Sequence, residues 1–294
     1  MSNELCFKYG ENSHQTARIE KTDSLLDYEV NGDLTFNETI AVSKGLNLIS
    51  EFYDVNAACS VKFCGICAVA LGQTLADSVQ KIMDSNPIDF ISSVIVTSSE
   101  VDSEVARFVK ESNIIVAPKY TNSALKILNE NNIKYVTINT PLKDYKNYIP
   151  EIVKATPFGM LIESPNLSEL NKDTFKVVSK QKPTVEQIED AVFAWKVAKH
   201  VNSQAVVIAK DLKTTAISQS LCTASVEFAL DYSCDMSKDA ILASDMPISV
   251  HDINVASQGR IGLVIVPDAD KDVINQADKY NMALITTMIT NILH

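Results

Sequence analysis

The sequence predicts an α/β fold on two observations. Short apolar runs rich in β-branched residues, at 94–97, 114–117 and 135–138, alternate with helix-patterned segments at 104–110 and 122–131, and the second half of the chain repeats the alternation. Amphipathic helices between short strands bury their apolar stripes on a sheet, and regular alternation makes that sheet mainly parallel or mixed. The three early runs are too short for helices and read as buried strands. Asn122-Ser123 supplies an N-cap for the second helix and Asn131-Asn132 a stop. Residues 164–182 are polar and read as a connection. Pro183-Thr184 then opens a helix. Thr184 and Gln187 have capping-box spacing, and Ile188, Val192, Trp195 and Ala198 make one apolar face. Strand 205–209, helix 225–232, strand 261–266, helix 271–280 and strand 283–287 follow. The expectation is two α/β lobes, residues 1–175 and 176–294, joined through the polar connection.

Composition narrows the function classes. Of 294 residues, 46% are hydrophobic and 21% charged, an ordinary globular mixture. No apolar run approaches the ~20 residues of a membrane span. Met1-Ser2-Asn3-Glu4 has no basic segment leading into an apolar one, so a cytoplasmic protein without a membrane partner is expected. Twenty-six basic against thirty-seven acidic residues give a net charge of −11, which repels phosphate backbones and argues against nucleic acid. A small anionic nucleotide stays open, since a few local lysines can hold one. Eight glycines are a deficit against an average share of ~7%, and no stretch has the glycine density of a phosphate-cradling loop. That weighs against dinucleotide and nucleoside-triphosphate enzymes. Cys64-Gly65-Ile66-Cys67 is a CxxC without the second pair that a zinc site needs. Redox pairing stands there against burial as small hydrophobes, and burial is favoured.

Two longer motifs point to an origin. Lys8-Tyr9-Gly10-Glu11-Asn12-Ser13-His14-Gln15 resembles R/K-Y-G-E-N-P-H-Q, the opening of the transformylase domain in the AICAR transformylase/IMP cyclohydrolase family of purine biosynthesis. Phe193-Ala194-Trp195-Lys196-Val197-Ala198-Lys199-His200-Val201-Asn202-Ser203 is similar to that family's F-A-W-K-x-x-K-H-x-x-S, and Ala209-Lys210-Asp211 follows at the expected distance. Val177-Val178-Ser179-Lys180 with Pro183-Thr184, Ile115-Val116-Ala117-Pro118, Ala243-Ser244-Asp245 and the tail 277–294 extend the resemblance over nearly the whole chain. The cyclohydrolase domain that usually comes first is expected to be absent. The resemblance implies two cytidine-deaminase-like lobes without zinc, their mixed sheets flanked by helices, and a homodimer with sites across the subunit interface. It also implies formyl transfer from 10-formyltetrahydrofolate, as co-substrate, to the carboxamide nucleotide AICAR, with no metal. Carried onto this chain, it makes Lys62 the catalytic residue and Lys8, Tyr9, Gly10, Gln204 and His294 substrate-binding positions.

Other positions depart from the pattern. The reaction needs a base or proton shuttle for a poor amine and a positive group for the developing oxyanion. The family supplies a Lys-His pair in K-H-x-N-P-C-G; here the stretch is Lys62-Phe63-Cys64-Gly65-Ile66-Cys67-Ala68. A phenyl ring cannot move a proton, and general acid–base catalysis is worth ~10²–10⁴-fold. Ile91-Ser92-Ser93 stands at F-G-G, and Gln204 at the asparagine of S-N-A. Residues 218–224 replace G-x-G-A-G-Q-x-S-R, with Ala224 at its arginine. Pro247-Ile248-Ser249-Val250 stands at F-F-P-F, Val266-Pro267-Asp268-Ala269-Asp270 at Q-P-G-G-S, and Thr290 at the tail arginine. Cations and glycines leave anion-facing loops, while Asp268 and Asp270 add negative charge. Each lost charged hydrogen bond costs ~1.5–3 kcal/mol.

Lys8 and Lys62 either hold an anion or sit solvated. Tyr9 either stacks on a base or packs in the core. Trp195 and His200 read as structural. Three functions follow: a divergent formyltransferase whose activity is weakened, changed or lost; a non-catalytic paralogue that binds a nucleotide or a partner protein; and changed chemistry with a Cys64 or Cys67 nucleophile beside Lys62.

Overall fold

The computed structural model describes residues 4–20, 26–170, 175–219 and 224–293. A hairpin of β1 (Glu4–Cys6) and β2 (Arg18–Glu20) precedes β3 (Tyr28–Asn31) and α1 (Phe36–Ile49). The hairpin β4 (Asn56–Lys62) and β5 (Gly65–Gly72) leads through α2 (Leu75–Ser85) and the short α3 (Pro87–Phe90) to β6 (Val94–Thr97). Helix α4 (Ser103–Phe108), β7 (Ile114–Ala117), α5 (Asn122–Glu130) and β8 (Lys134–Ile138) complete the first half. A separate ribbon, β9 (Ile152–Thr156) with β10 (Gly159–Glu163), and the two-residue β11 (Lys176–Val177) connect to α6 (Val185–Ala198). The second half then runs β12 (Ala205–Lys210), β13 (Lys213–Gln219), α7 (Ser225–Ser233), β14 (Ile241–Ser244), α8 (Val250–Gln258), β15 (Leu263–Val266), α9 (Lys271–Lys279) and β16 (Ala283–Thr286).

The two halves repeat one plan. Each has a helix, an antiparallel hairpin, a helical link, and three parallel strands joined by helical crossovers. Each ends on an antiparallel edge strand, β3 beside β8 and β11 beside β16. All join one twelve-stranded mixed sheet in the order β11-β16-β15-β14-β12-β13-β5-β4-β6-β7-β8-β3, so the halves meet where β13 lies antiparallel to β5. The α/β expectation holds. One core under α1 and α6 spans both halves, from Leu48 and Phe52 to Phe193 and Trp195. The opposite face carries two separate cores, one beneath α2, α4 and α5 and one beneath α7, α8 and α9. Gly45 allows the close seat of α1: a Cβ there would lie 2.4 Å from a Val96 methyl of β6.

Local signals read from sequence are mostly met. Thr184 accepts from the Gln187 amide in a complete capping box. One expectation needs correcting: α5 is capped by Thr121, whose hydroxyl accepts from the Ala124 N–H, and not by Asn122-Ser123, which already lie inside the helix. Thr121 is extended and its oxygen reaches the third amide, the geometry an N-cap requires. Asn131 ends that helix, and Asn132 turns the chain with φ +55°. The polar connection also contains β11.

Candidate functional site

Lys62 is the last residue of β4, and Phe63-Cys64 form the two-residue turn into β5 with φ of +47° and +60°. Turns of this hand suit the twist of a hairpin but favour Asn and Gly. Phe63 adopts it with 92% of its surface exposed, so no packing of the ring offsets the conformation. The Lys62 ammonium lies 3.5 Å from Asp89 Oδ1 and 5.8 Å from the Phe63 ring centroid.

The opening motif builds a loop against this hairpin. Gly10 N–H donates to the Gln15 carbonyl at 2.9 Å, and Gln15 Oε1 accepts from Asn12 N–H and Nδ2 at 3.0 and 2.9 Å. Phe7 packs edge-on against Phe36 of α1, with centroids 5.7 Å apart. Asn37 Nδ2 reaches the Glu11 carbonyl at 3.4 Å. An open cleft of ≈ 490 Å³ results, with Glu11, Asn37, Lys62, Phe63, Cys64 and Ser92 in its lining. Ser92 keeps a left-handed φ of +59° without being glycine. Gly10 is buried inside the loop, whereas Lys8 is exposed and lies with its ammonium 6.0 Å from the Tyr9 ring. Neither Lys8 nor Tyr9 is in the cleft lining.

Gln204 lies at the same end of the sheet. It precedes Ala205, which pairs with Gln219, and Gln219 packs so closely on Gly65 that a Cβ there would meet its Nε2 at 2.6 Å. Around Gln204 the family motifs interlock. Buried Asp245 accepts from the Ser203 hydroxyl and from Ala205 N–H, the latter at 2.9 Å. Ser203 N–H donates to the Leu293 carbonyl and its Oγ accepts from Leu293 N–H, at 2.9 and 3.0 Å, fixing the tail. His294 lies outside the described residues, as do residues 220–223. Lys44 of α1 spans the halves by donating to Asn202 Oδ1 at 3.0 Å.

The F-A-W-K-x-x-K-H segment serves a different purpose. Lys199 Nζ lies 2.8 Å from Glu51 Oε1, Lys146 Nζ 3.3 Å from Oε2, and His200 Nε2 3.3 Å from Oε1. Lys196 Nζ donates to the Glu51 carbonyl at 2.9 Å. Burial opposes ionisation of Glu51, but the bonds and charges of His200 and Lys199 outweigh it and hold the carboxyl far below the usual range. Burial dominates at His200 and lowers its pKa. Both His200 and Trp195 thus face the interior. The sequence reading missed Glu51 altogether.

The departures acquire physical roles. Asp270 caps α9, accepting from Val273 N–H at 2.8 Å, and Ser249 forms a capping box with Asp252 on α8. Burial raises the pKa of both CxxC thiols, Cys67 to about 11. Cys64 faces Asn37 and Lys44 while Cys67 faces Asp89 and Lys62, and both are free thiols. A raised pKa is the opposite of nucleophile activation. Among the described residues no group of three or more His, Cys, Asp or Glu is placed to hold a metal, and no helix is long and apolar enough to cross a membrane.

Fold and site together define an α/β protein of repeated plan with a ligand-sized cleft at a hairpin-borne lysine. The AICARFT/IMPCHase bienzyme family matches residues 1–225, and the chain belongs to that family. The bifunctional purine biosynthesis protein PurH of Caldicellulosiruptor saccharolyticus is 32% identical over 98% of this chain and 58% of its own length. The PurH proteins of Fusobacterium nucleatum and Anoxybacillus flavithermus are 31% and 29% identical, again over 98% of this chain and 59% and 58% of theirs. The chain therefore spans less than two thirds of the length of these curated relatives.

Proposed function

We propose that this chain is a transformylase-family protein of purine nucleotide biosynthesis in which formyl transfer from 10-formyltetrahydrofolate to AICAR is lost or strongly weakened. The observation that carries the reading is Phe63, an exposed phenyl ring where the family motif has its proton-moving histidine. Neighbouring features support it. Lys62 has Asp89 3.5 Å away, so its charge is partly answered before any oxyanion develops. Glu11 lies in the cleft lining, where its negative charge opposes a phosphate, whereas the Glu38 carboxylate beside it is paired with Lys134 at 2.9 Å. Lys8, Tyr9, Gly10, Gln204 and His294 remain the residual ligand positions of this reading, in a cytoplasmic protein whose two halves act as cytidine-deaminase-like lobes.

A second reading is a non-catalytic paralogue that binds a nucleotide or a partner. The cleft favours it, since ≈ 490 Å³ falls within the roughly 300–1,000 Å³ of small-molecule sites. Incubating the purified protein with AICAR and 10-formyltetrahydrofolate, with parallel calorimetric titration of AICAR, separates the outcomes. The first reading expects product formation at or just above the no-enzyme control. Turnover at a rate normal for an enzyme removes both readings, whereas binding heat without turnover selects the second.

A further inference from the structure

The two halves differ at one position of their shared plan. Helices α1 and α6 each run fourteen residues from a threonine N-cap, Thr35 or Thr184, with a complete capping box. Each is followed by a hairpin whose two turn residues are left-handed. Phe63 and Cys64 have φ of +47° and +60°, Asp211 and Leu212 both +55°. In the second half the sixth residue of the helix, Asp190, holds that turn. Its carboxylate accepts from Asp211 N–H at 3.0 Å and from Leu212 N–H at 2.7 Å. Left-handed backbone is costly for residues other than glycine and persists where its surroundings fix it. The sixth residue of α1 is Ala41, which has no acceptor to offer. Among the described residues nothing accepts from the Phe63 or Cys64 N–H. Ala41, Phe63 and Cys64 line the ≈ 490 Å³ cleft instead. The first half therefore has a cleft where the second has a carboxylate.

We infer that the Phe63 and Cys64 amides anchor a small organic carboxylate, which enters the cleft and takes the place that Asp190 holds in the other half. Successive backbone N–H groups in a turn make an anion site, and bonds to an ionised acceptor are about twice as strong as neutral ones. The surrounding charges favour a single negative charge. Lys62 is answered by Asp89, and Glu38 by Lys134. Lys44, which faces Cys64, donates to the Asn202 amide oxygen, so its charge is left to balance Glu11. Glu11 opposes a doubly charged phosphate more than a singly charged carboxylate. The inference rests on the reading that the cleft holds a ligand, and on nothing about formyl transfer.

Benzoate titrated into the isotope-labelled full chain tests it through the backbone amide signals in nuclear magnetic resonance. The Phe63 and Cys64 amides are expected to shift downfield and saturate in the millimolar range, while those of Asp211 and Leu212, already bonded to Asp190, stay in place. Benzamide has the same shape without the charge and should bind ~10-fold more weakly. Ala41→Asp supplies the acceptor from within the chain, so it should move the same two amides without ligand and abolish their response to benzoate. The wild-type comparison of benzoate with benzamide decides alone if that variant does not fold. Phe63 and Cys64 amides that ignore benzoate overturn the inference. So does an equal response to benzamide, or a full benzoate response in folded Ala41→Asp. An AICAR titration of the same sample separates the two failures. AICAR binding without a benzoate response removes the carboxylate and leaves the cleft a ligand site, whereas no response to either removes both.

Discussion

Glu51 is the residue on which Lys146, Lys199 and His200 converge. It sits in the 3₁₀ turn Ser50–Phe52 that follows α1, and its partners are 95 to 149 residues away in sequence. Its side chain and that of Lys199 are each only 6% exposed. Removing one member of a buried pair leaves the other uncompensated, so Glu51→Gln is expected to cost ~3 kcal/mol in urea unfolding at pH 7. The sign with pH follows from the depressed carboxyl. Unfolded, Glu51 titrates near its ordinary 4.5; folded, far lower. The wild-type advantage is therefore complete above pH 4.5 and is lost progressively as pH falls toward the folded value. Unfolding curves of both proteins from pH 7 to 3 check this. A difference between them that stays constant across that range would exclude Glu51 as the ionised centre.

This cluster also marks where sequence reading ends. Lys196, Lys199 and His200 are visible as a motif at helical spacing, but nothing local says that they converge on Glu51. The cleft is similar: Glu11, Asn37, Lys62 and Ser92 come from four separate segments, and the loop, the lysine and Ser92 are marked in the sequence only by resemblance, while Asn37 is not marked at all.

At the scale of elements, legibility followed the locality of the signal. The Thr184 box and the runs 94–97 and 114–117 are complete within a few residues, and the structure returns them unchanged. Strands β4 and β5 went unread because Asn56-Ala57-Ala58-Cys59-Ser60 and Cys67-Ala68-Val69-Ala70 are rich in small residues with little β preference. Burial between two helical layers, a tertiary fact, makes them strands. Asp270 shows the opposite error, a local role hidden by a comparison. Beside Asp268 it reads as repulsion in an anion loop, yet its carboxylate caps α9. Asn caps as well as Asp, and Ala does not. Thermal unfolding should therefore place Asp270→Asn within a few tenths of a kcal/mol of wild type and Asp270→Ala about 1 kcal/mol below it. Equal losses in the two variants would mean that the charge, and not the cap, is what matters.

For the whole molecule, the question is whether two halves of one plan behave as one body. Their sheet contact is thin, with Lys213 opposite Ala70 as the paired residues of β13 and β5. Thr214 extends it with a side chain: its buried Oγ1 accepts from Val69 N–H at 3.0 Å and donates to the Val69 carbonyl at 3.3 Å. Against this seam stands the shared core, in which Phe52 of the first half packs on Phe193 of the second with ring centroids 5.6 Å apart. Shared apolar burial opposes separate melting, because either half unfolding alone would expose the other's face of that core. Thr214→Val keeps the shape but strands a buried donor and acceptor, at a cost of ~1–3 kcal/mol each. The expected result is a single transition shifted as a unit. Fluorescence of Trp195, the chain's one tryptophan, reports the second half, and hydrogen exchange in β6, β7 and β8 reports the first. Both should lose the same free energy in Thr214→Val. If the exchange of β6–β8 kept its wild-type protection while Trp195 melted early, the halves would be independent domains and the common core too weak to couple them.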